Sequence, residues 1–170
     1  MTTPRLFDRP AAATSAPSTS MDAFAERYRQ FFPRVFAYVF GRVHNSHLAE
    51  DLVADVFERA FLKAGSLRND EAFSTWLFTI ARNVIISHSR KHHREAVVDP
   101  EVMREELDTV ATLLRDFPQR EQDILALKFD AELSNTQIAN IMELSEANVR
   151  VILFRTLRRL REQMLARRKG

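Results

Sequence analysis

The stretch Leu133–Arg159, which reads LSNTQIANIMELSEANVRVILFRTLRR, decides the fold of the C-terminal half of this chain. Ser134 and Gln137 form the S-x-x-Q pattern of a capping box and open a helix of about eight residues. A short turn follows it, and Ser145 caps a second and longer helix. Two capped helices joined by a short turn predict a helix-turn-helix, in which the second helix enters the major groove of DNA.

Side chains at fixed positions of this stretch suit both the packing and the DNA contact of a helix-turn-helix. Ala139 is small where the two helices would cross, and Leu144 and Val149 would fill the space between them. Amide side chains bind adenine edges, and guanidinium groups bind guanine edges or phosphates. The residues of these types on the outer side of the second helix are Asn148, Arg150 and Arg155. An ordinary helical hairpin is the alternative, but the capping, the spacing and the basic final helix together favour DNA.

Charge is distributed unevenly along the C-terminal half. Residues 150–170 contain eight basic residues and the single acid Glu162, whereas residues 95–108 are rich in acids. Such asymmetry indicates that one end of the chain meets a polyanion. The alternative is a solvated helix whose cations favour the negative C-terminal end of the helix dipole.

The composition of the 170 residues favours helices and excludes several kinds of site. Only 3 glycines and 6 prolines are present, and 45% of the residues are hydrophobic and 28% charged, as in globular proteins. The absence of cysteine excludes disulfides, thiolate metal sites and thiol nucleophiles, and it fits a cytosolic compartment. No apolar run approaches the roughly 20 residues that span a bilayer, so no membrane insertion is expected.

The N-terminal half opens with a segment that differs from the rest. Residues 1–20 are rich in Pro, Ala, Ser and Thr, and we predict that they are disordered because they bury too little to offset the entropy of ordering. The helical pattern starts directly after them, so Met21 is a candidate for the true initiator. Apolar residues at spacings of three and four then predict a first helix over residues 22–43, in which Pro33 predicts a kink or a break.

A second helix is predicted between Ser46 and Gly65, with Val53 and Phe61 in its buried stripe. Its acidic residues, spaced at i, i+4 and i+7, share one exposed face. These residues are Asp51, Asp55 and Glu58. Such a face is either simply solvated or a docking surface for a basic partner.

A third helix is predicted over residues 71–91, with aromatic residues near its start and basic residues at its end. Rings beside Arg and Asn suit unpaired DNA bases, but Phe73 and Trp76 also fit a simple core stripe. The loop before this helix, Arg68 to Asp70, is the better candidate for holding an extruded base.

The polar residues 94–106 are predicted to be a linker. In the segment that follows, Pro118 suits the first position of a helix. The chain is therefore predicted to be all-α, with two small helical domains at residues 21–93 and 107–170 joined by a flexible linker.

Five segments resemble the extracytoplasmic-function (ECF, group 4) sigma factors of the sigma-70 family. Residues 49–60 are similar to the helix that grips the clamp helices of RNA polymerase, and residues 73–83 to the promoter-melting and −10 element. The segments that resemble the −35-binding domain are residues 117–125, 133–139 and 144–150. The resemblance covers roughly residues 22–165, and the order and spacing of its segments are highly specific.

The resemblance implies a transcription initiation factor in the cytoplasm, monomeric when free, with core RNA polymerase, promoter DNA and an anti-sigma factor as partners. The implied polymerase contacts are Asp51, Val53, Ala54, Asp55 and Glu58. The implied −10 contacts are Arg68, Asn69, Asp70, Trp76, Arg82, Asn83 and Arg90. The implied −35 contacts are Asn135, Thr136, Ser145, Asn148, Arg150, Arg155 and Arg158. No cofactor or metal is expected.

Several positions depart from the family pattern. Ala54 stands where the family usually has Gln, and Ser87 where it usually has Asp. Glu143 replaces the usual turn glycine, so the turn needs another geometry or a strained residue. Ile152 stands where a basic residue is frequent in the family, and Phe154 stands where His is frequent.

Three other function classes are weighed against this one. A free-standing helix-turn-helix regulator would not need the acidic helix or the aromatic third helix, and an adaptor that binds no DNA would not need the basic final helix. An enzyme has no positive support, since no phosphate loop or nucleophile elbow is present. The histidines His88, His92 and His93 form at most a partial metal site and fit a solvated face better.

Overall fold

A computed structural model describes residues 20–63, 70–92 and 108–168, and within these ranges the chain forms seven α-helices and no strand. The all-α prediction is therefore confirmed. The helices are α1 (Ser20–Val43), α2 (Ser46–Lys63), α3 (Asp70–His92), α4 (Asp108–Arg115), α5 (Gln119–Phe129), α6 (Asn135–Met142) and α7 (Glu146–Arg167). The predictions of a disordered segment 1–20 and of a linker at 94–106 fall almost wholly outside the described residues.

Helices α1 to α3 form a three-helix N-terminal bundle, in which each helix packs on the other two. The Asn45 side chain starts α2 by accepting a hydrogen bond from the Leu48 N–H at 2.9 Å. Aromatic side chains hold the helices together, and the Tyr38 and Phe78 rings meet edge to face with centroids 5.7 Å apart. The buried residues of this bundle are Phe31, Val35, Tyr38, Val39, Ala49, Leu52, Val53, Val56, Phe57, Ala60, Phe73, Leu77, Phe78, Ala81, Val84 and Ile85.

Two predictions for this bundle need correction. Helix α1 continues through Pro33, so the predicted break is wrong: the proline is exposed, while Phe31 and Val35 on either side of it are buried. Phe61 is 44% exposed rather than part of the buried stripe of α2, because it lies near the end of the helix, where only Phe24 covers one edge of its ring.

Helices α4 to α7 form the C-terminal bundle, and local capping sets where they begin. Ser134 Oγ accepts from the Gln137 N–H at 3.2 Å and Gln137 Oε1 accepts from the Ser134 N–H at 2.9 Å, which confirms the capping box of α6. Ser145 Oγ accepts from the Asn148 N–H at 3.2 Å and caps α7, also as predicted. Pro118 was placed one position too far into its helix: with φ −52° and ψ 141° it is the N-cap of α5.

The turn between α6 and α7 contains a strained residue. Glu143 ends α6 with φ 55° and ψ 48°, in the left-handed region, and the next N–H, of Leu144, bonds back to the Ala139 carbonyl at 2.9 Å. The strain expected from the missing turn glycine is thus present, because the helix-turn-helix geometry imposes this conformation on whatever residue occupies the position.

Replacing Glu143 with glycine is expected to raise the free energy of unfolding by about 1 kcal/mol, since an L-residue in the left-handed region costs roughly 1–2 kcal/mol. For a chain of this size, the melting temperature should rise by about 3 °C. The matched control is Glu143→Ala, which removes the same side-chain atoms beyond Cβ but keeps the strain. Equal melting temperatures for the glycine and alanine variants would contradict the prediction.

The two bundles pack directly against each other and share one continuous core. Helix α1 contacts α5, and α3 contacts α6, so buried residues of both bundles belong to a single cluster. The sequence predicted two domains connected by a flexible linker and gave no sign of this interface. We call this packed arrangement the closed form. None of the helices in the described ranges is long and apolar enough to cross a membrane.

Candidate nucleic-acid and polymerase interfaces

Helix α7 exposes to solvent its N-terminal half, which is the predicted DNA-reading surface. Val149 and Leu153 anchor one side of the helix in the core, at 0% and 8% exposure. At about 100° per residue the other positions spread over the outer arc of the helix. The predicted DNA contacts on this arc are all exposed: Asn148, Arg150, Arg155 and Arg158.

Two of the three arginines on this surface are paired within the helix. Arg150 Nη1 lies 3.1 Å from Glu146 Oε1, and Arg158 Nε lies 3.0 Å from Glu162 Oε1. No carboxylate of the described residues pairs with Arg155, so its guanidinium can meet DNA without first breaking an ion pair. Exposed pairs of this kind contribute about 0–1 kcal/mol, so they are easily exchanged for phosphate contacts.

The predicted −35 contacts outside α7 have more local roles. Thr136 Oγ1 donates to Glu146 Oε2 at 3.1 Å, which ties the start of α6 to the start of α7. The Ser145 hydroxyl is already used as an N-cap. Asn135 is half-buried, and its Oδ1 has no hydrogen-bond partner among the described residues. These residues support the reading helix more directly than they offer free groups to DNA.

Two exposed apolar residues on the same surface are absent from the predicted DNA contacts. Val151 is 43% exposed and Phe154 is 68% exposed, and both lie on the outer arc between the arginines. Apolar side chains in the major groove contact the methyl group of thymine. The helical period predicts their exposure, because Val149 and Leu153 define the buried side of α7, and Val151 and Phe154 lie on the other side of the helix.

An acidic face lies on α2, as predicted. Asp51, Ala54 and Glu58 are exposed, and Asp55 is half-buried. Asp55 is partly neutralised, since Arg59 Nε and Nη2 donate to its two carboxylate oxygens at 2.7 and 2.9 Å. In the described part of the chain no cation pairs with Asp51 or Glu58, so these two supply most of the face's negative charge.

Val53 must be removed from the predicted polymerase contacts. Its side chain is 1% exposed and belongs to the core of the N-terminal bundle. The period of the helix explains this, since Val53 stands about 160° from Asp51 around the α2 axis and therefore faces inward.

The predicted −10 contacts are only partly placed by the structure. Arg68 and Asn69 lie outside the described residues, as does the side chain of Asp70, the first residue of α3. Asn83 and Arg90 are exposed on α3. Trp76 is half-buried and packs on Phe73 with ring centroids 5.8 Å apart, so it is a partial core residue with one accessible side.

Arg82, the remaining −10 candidate, faces the other bundle. Its Nε lies 3.6 Å from Asp123 Oδ2 on α5, and its side chain is 28% exposed. The other carboxylate oxygen of Asp123 meets Arg42 Nη2 of α1 at 2.8 Å, and both of these side chains are only 7% exposed. Gln122 Oε1 also accepts from Arg42 Nη1 at 3.0 Å. Burial raises the pKa of Asp123, and the two arginines oppose that shift.

Two further contacts join the bundles. Arg34 Nε of α1 donates to the Ala131 carbonyl at 2.8 Å, just beyond the end of α5. At Gly41, a Cβ atom would lie 2.8 Å from Asp130 Oδ2, so a larger residue at this position would force the Asp130 carboxylate to move. The sequence offered no signal for either contact, because their partners are distant in the chain.

Asp130 should make the stability of the closed form depend on pH. Burial raises its pKa to about 6, against the attraction of Arg42, whereas an unfolded aspartate has a pKa of about 3.9. As the pH falls, the folded chain therefore takes up this proton at a higher pH than the unfolded chain does. The free energy of unfolding increases as the pH falls from about 6 towards about 4, and it decreases again as the pH rises.

We expect Asp130→Asn, which mimics the protonated form, to melt at a higher temperature than the natural chain at pH 7.5. This difference should shrink as the pH is lowered from about 6 to about 4. The measurement is thermal unfolding of both proteins at each pH. A difference that stays constant over this range would show that Asp130 does not titrate abnormally.

No cluster of three metal-binding side chains is present within residues 20–63, 70–92 and 108–168. Of the histidines considered as a partial metal site, His93 and the side chain of His92 lie outside the described residues, while His88 is half-buried on α3.

A capped helix-turn-helix with an exposed basic reading helix, joined to an aromatic three-helix bundle, defines a helical DNA-binding protein of the transcription machinery. Comparison with known families agrees: residues 27–95 match the model for sigma-70 region 2, and residues 113–162 match the model for sigma-70 region 4.

Curated relatives of the chain are sigma factors. ECF RNA polymerase sigma factor SigM of Bacillus subtilis is 29% identical over 150 residues, covering 80% of this chain and 91% of SigM. ECF RNA polymerase sigma factor BldN of Streptomyces coelicolor is 30% identical over 156 residues, covering 82% of this chain and 59% of BldN. The chain belongs to the ECF group of RNA polymerase sigma factors, in the sigma-70 family.

Solved structures share the fold. The sigma factor RpoE of Bartonella quintana, solved in complex with the anti-sigma factor NepR, aligns with a TM-score of 0.66 at 23% identity, covering 84% of this chain and 96% of RpoE. CnrH, solved in complex with the cytosolic domain of CnrY, aligns with a TM-score of 0.69 at 21% identity, covering 86% of this chain and 90% of CnrH.

Proposed function

We propose that this chain is a transcription initiation factor that binds bacterial core RNA polymerase and directs it to promoters, with different surfaces for polymerase, −10 DNA and −35 DNA. The presence of both sigma-70 regions in order, with an exposed reading helix in the second, carries this proposal. The chain works by binding energy alone and catalyses no covalent reaction. It acts in the cytoplasm, where promoter DNA and polymerase are located, and it is a monomer when free.

The acidic face of α2 is the proposed polymerase contact. The exposed part of this surface consists of Asp51, Ala54 and Glu58. The Asp55 carboxylate becomes available when a basic group of the partner replaces its ion pair with Arg59. Charge complementarity of this kind guides association with a basic partner and sets its orientation. Helix α3 then meets the unpaired −10 strand through Asn83 and Arg90, together with the loop residues 68–70.

The outer arc of α7 is the proposed −35 contact. Asn148, Arg150 and Arg155 supply polar contacts to base edges and phosphates, and Val151 adds an apolar contact. Ser145 caps the N-terminus of α7, so these residues lie in the N-terminal half of the helix. In a helix-turn-helix, the N-terminal residues of the second helix contact base edges in the major groove.

Val151 should read the methyl group of a thymine in the −35 element. We expect that replacing one particular thymine by deoxyuridine, which lacks only the methyl group, weakens binding about threefold to tenfold, because burying a group of this size contributes about 0.8 kcal/mol. The Val151→Ala variant should bind the thymine and deoxyuridine duplexes equally. The measurement is fluorescence anisotropy on −35 duplexes carrying deoxyuridine at each thymine in turn. If the natural chain shows no preference at any position, Val151 is not a base reader.

The closed form cannot contact both promoter elements at once. The two elements are about 25 base pairs apart, which is about 85 Å along B-form DNA. A compact chain of this length has a diameter of about 40 Å. The linker residues 93–107 can span at most about 55 Å, which is enough for the bundles to reach both elements only after they separate. Promoter binding therefore requires an open form.

The decisive test is transcription in vitro with purified bacterial core polymerase on a pooled genomic promoter library, with and without this chain. Discrete start sites that depend on the chain are the expected result, and they reveal its −35 and −10 sequences together. A lack of added transcripts, with no co-elution of chain and core enzyme, would instead favour a free-standing helix-turn-helix regulator. An anti-sigma factor is a further proposed partner, since RpoE of Bartonella quintana was solved with one.

A further inference from the structure

The contact between the bundles centres on one carboxylate held by two guanidinium groups. Asp123 of α5 meets Arg42 of α1 at 2.8 Å and Arg82 of α3 at 3.6 Å, each through a different oxygen. Both arginines belong to the N-terminal bundle, and the acid belongs to the C-terminal bundle. The site is closed to solvent at its centre, with Arg42 and Asp123 each 7% exposed.

This carboxylate does not satisfy the two arginines. Arg42 Nε is buried and has no hydrogen-bond partner among the described residues, and the buried Arg82 Nε faces Asp123 Oδ2 at 3.6 Å, which is longer than a good hydrogen bond. Two cations also face one close anion, with Asp130 as the next acid near Arg42. Two guanidinium forks with unused donors suit a phosphate, which offers more acceptor oxygens than a carboxylate.

The position of the arginines places such a phosphate beside the −10 surface. Arg82 is adjacent in sequence to Asn83, which is exposed on the same helix as Arg90. In the closed form a DNA strand that reaches Asn83 cannot reach Arg42, because α5 covers it. Departure of the C-terminal bundle would uncover both guanidinium groups at once.

We propose that Arg42 and Arg82 form a binding site for a phosphate of the melted −10 strand, and that Asp123 occupies this site in the closed form. Single-stranded DNA and the C-terminal bundle then compete for the same two arginines. Strand capture favours the open form, and opening favours strand capture, by the same factor in both directions. This inference rests on the proposed function, since it assigns one further contact to the −10 surface.

Two readouts on the full chain test it. The chain has no cysteine, so Ser46→Cys and Asn140→Cys, exposed sites on different bundles, take a fluorophore pair that reports the distance between the bundles. Binding is measured by anisotropy with a fluorescein-labelled, random-sequence 12-nucleotide single-stranded DNA. The variant is Asp123→Asn, and its control is Asp116→Asn, an exposed carboxylate of the same bundle with the same change of charge.

Asp123→Asn is expected to lower energy transfer between the fluorophores and to tighten DNA binding at least about fivefold, the lower range of allosteric coupling. Asp116→Asn should change neither. Adding Arg42→Gln or Arg82→Gln to Asp123→Asn should cancel the gain in DNA binding while leaving the bundles apart. Gly41→Leu opens the interface without removing a charge and should also tighten DNA binding, which covers the case in which Asp123→Asn disturbs folding.

Several outcomes would overturn the proposal. Unchanged energy transfer in both Asp123→Asn and Gly41→Leu would mean that these contacts do not hold the bundles together. Opening without tighter DNA binding, or a gain that survives Arg42→Gln and Arg82→Gln, would mean that the arginines do not bind a phosphate. None of these outcomes depends on polymerase, so failure of the proposed function, seen as absent promoter-specific transcription, is distinguishable from failure of this inference.

Discussion

Replacing Arg150 and Arg155 together with alanine is expected to weaken binding to −35 duplex DNA about thirtyfold or more. Each arginine that contacts a guanine edge or a phosphate contributes roughly 1–3 kcal/mol, and both side chains lie exposed on the outer arc of α7. Each arginine also neutralises phosphate charge and releases counterions from the DNA. Without them, the affinity should therefore depend less steeply on salt concentration. The measurement is a salt titration of binding to a −35 duplex found by the transcription experiment.

Arg167→Ala is the matched control for this variant. It removes the same kind of exposed side chain from the same helix, but about 18 Å further along its axis than Arg155. We expect that it leaves −35 affinity within about twofold of the natural chain, as a rim charge does. If the double variant and the control behave alike, or if the salt dependence is unchanged, the reading surface has been placed on the wrong residues.

Replacing Asp51 with lysine is expected to weaken binding to core polymerase at least tenfold. Asp51 is exposed, and no cation of the described residues pairs with it. Its negative charge is therefore available to attract a basic partner. Reversal of the charge places like charges together in the interface, which costs several kcal/mol. Competition with labelled natural chain for purified core enzyme gives the change in affinity.

Asp116→Lys makes the same change of charge on the other bundle and should leave polymerase binding unaffected. Asp51→Lys should in turn bind −35 duplex DNA as well as the natural chain, because α2 takes no part in that contact. Loss of both activities in Asp51→Lys would indicate damage to the fold, and retention of polymerase binding would remove the acidic face from the interface.

The closed form links these surfaces to one another. Arg82 is engaged by Asp123, whereas Asn148, Arg150 and Arg155 stay exposed whether or not the bundles are packed together. The proposed −35 contacts are therefore exposed in the closed form, whereas the proposed −10 surface would be completed only on opening. A variant that opens the interface should therefore alter −10 binding more than −35 binding.

Local patterns made much of the fold predictable. The capping box at Ser134, the N-cap at Ser145 and the apolar period of each helix depend on residues three or four apart, and the structure has all of them. The missing glycine at Glu143 predicted either another turn geometry or a strained residue, and the structure has the strained residue, because the turn between two fixed helices admits few backbone conformations.

Errors arose where a side chain's surroundings come from elsewhere in the chain. The period of α2 placed Val53 inside, yet the family pattern placed it at the polymerase contact, and the structure supports the period. Phe61 has the same period as the core residues and is still 44% exposed, because the edge contact with the Phe24 ring covers only part of its side chain. Burial depends on the extent of neighbouring helices, which a local pattern does not contain.

The sequence by itself determined that this chain is helical and where its helices begin, and it predicted that the last helix reads DNA, since caps, periods and charge are local properties. Only the tertiary structure decided that the two bundles share a core, and that Arg42 and Arg82 enclose Asp123. The physical reason is that a buried ion pair joins residues far apart in the chain. Burying the charges costs desolvation free energy, which their mutual attraction offsets only when both bundles place the three groups together, and no stretch of sequence carries that information.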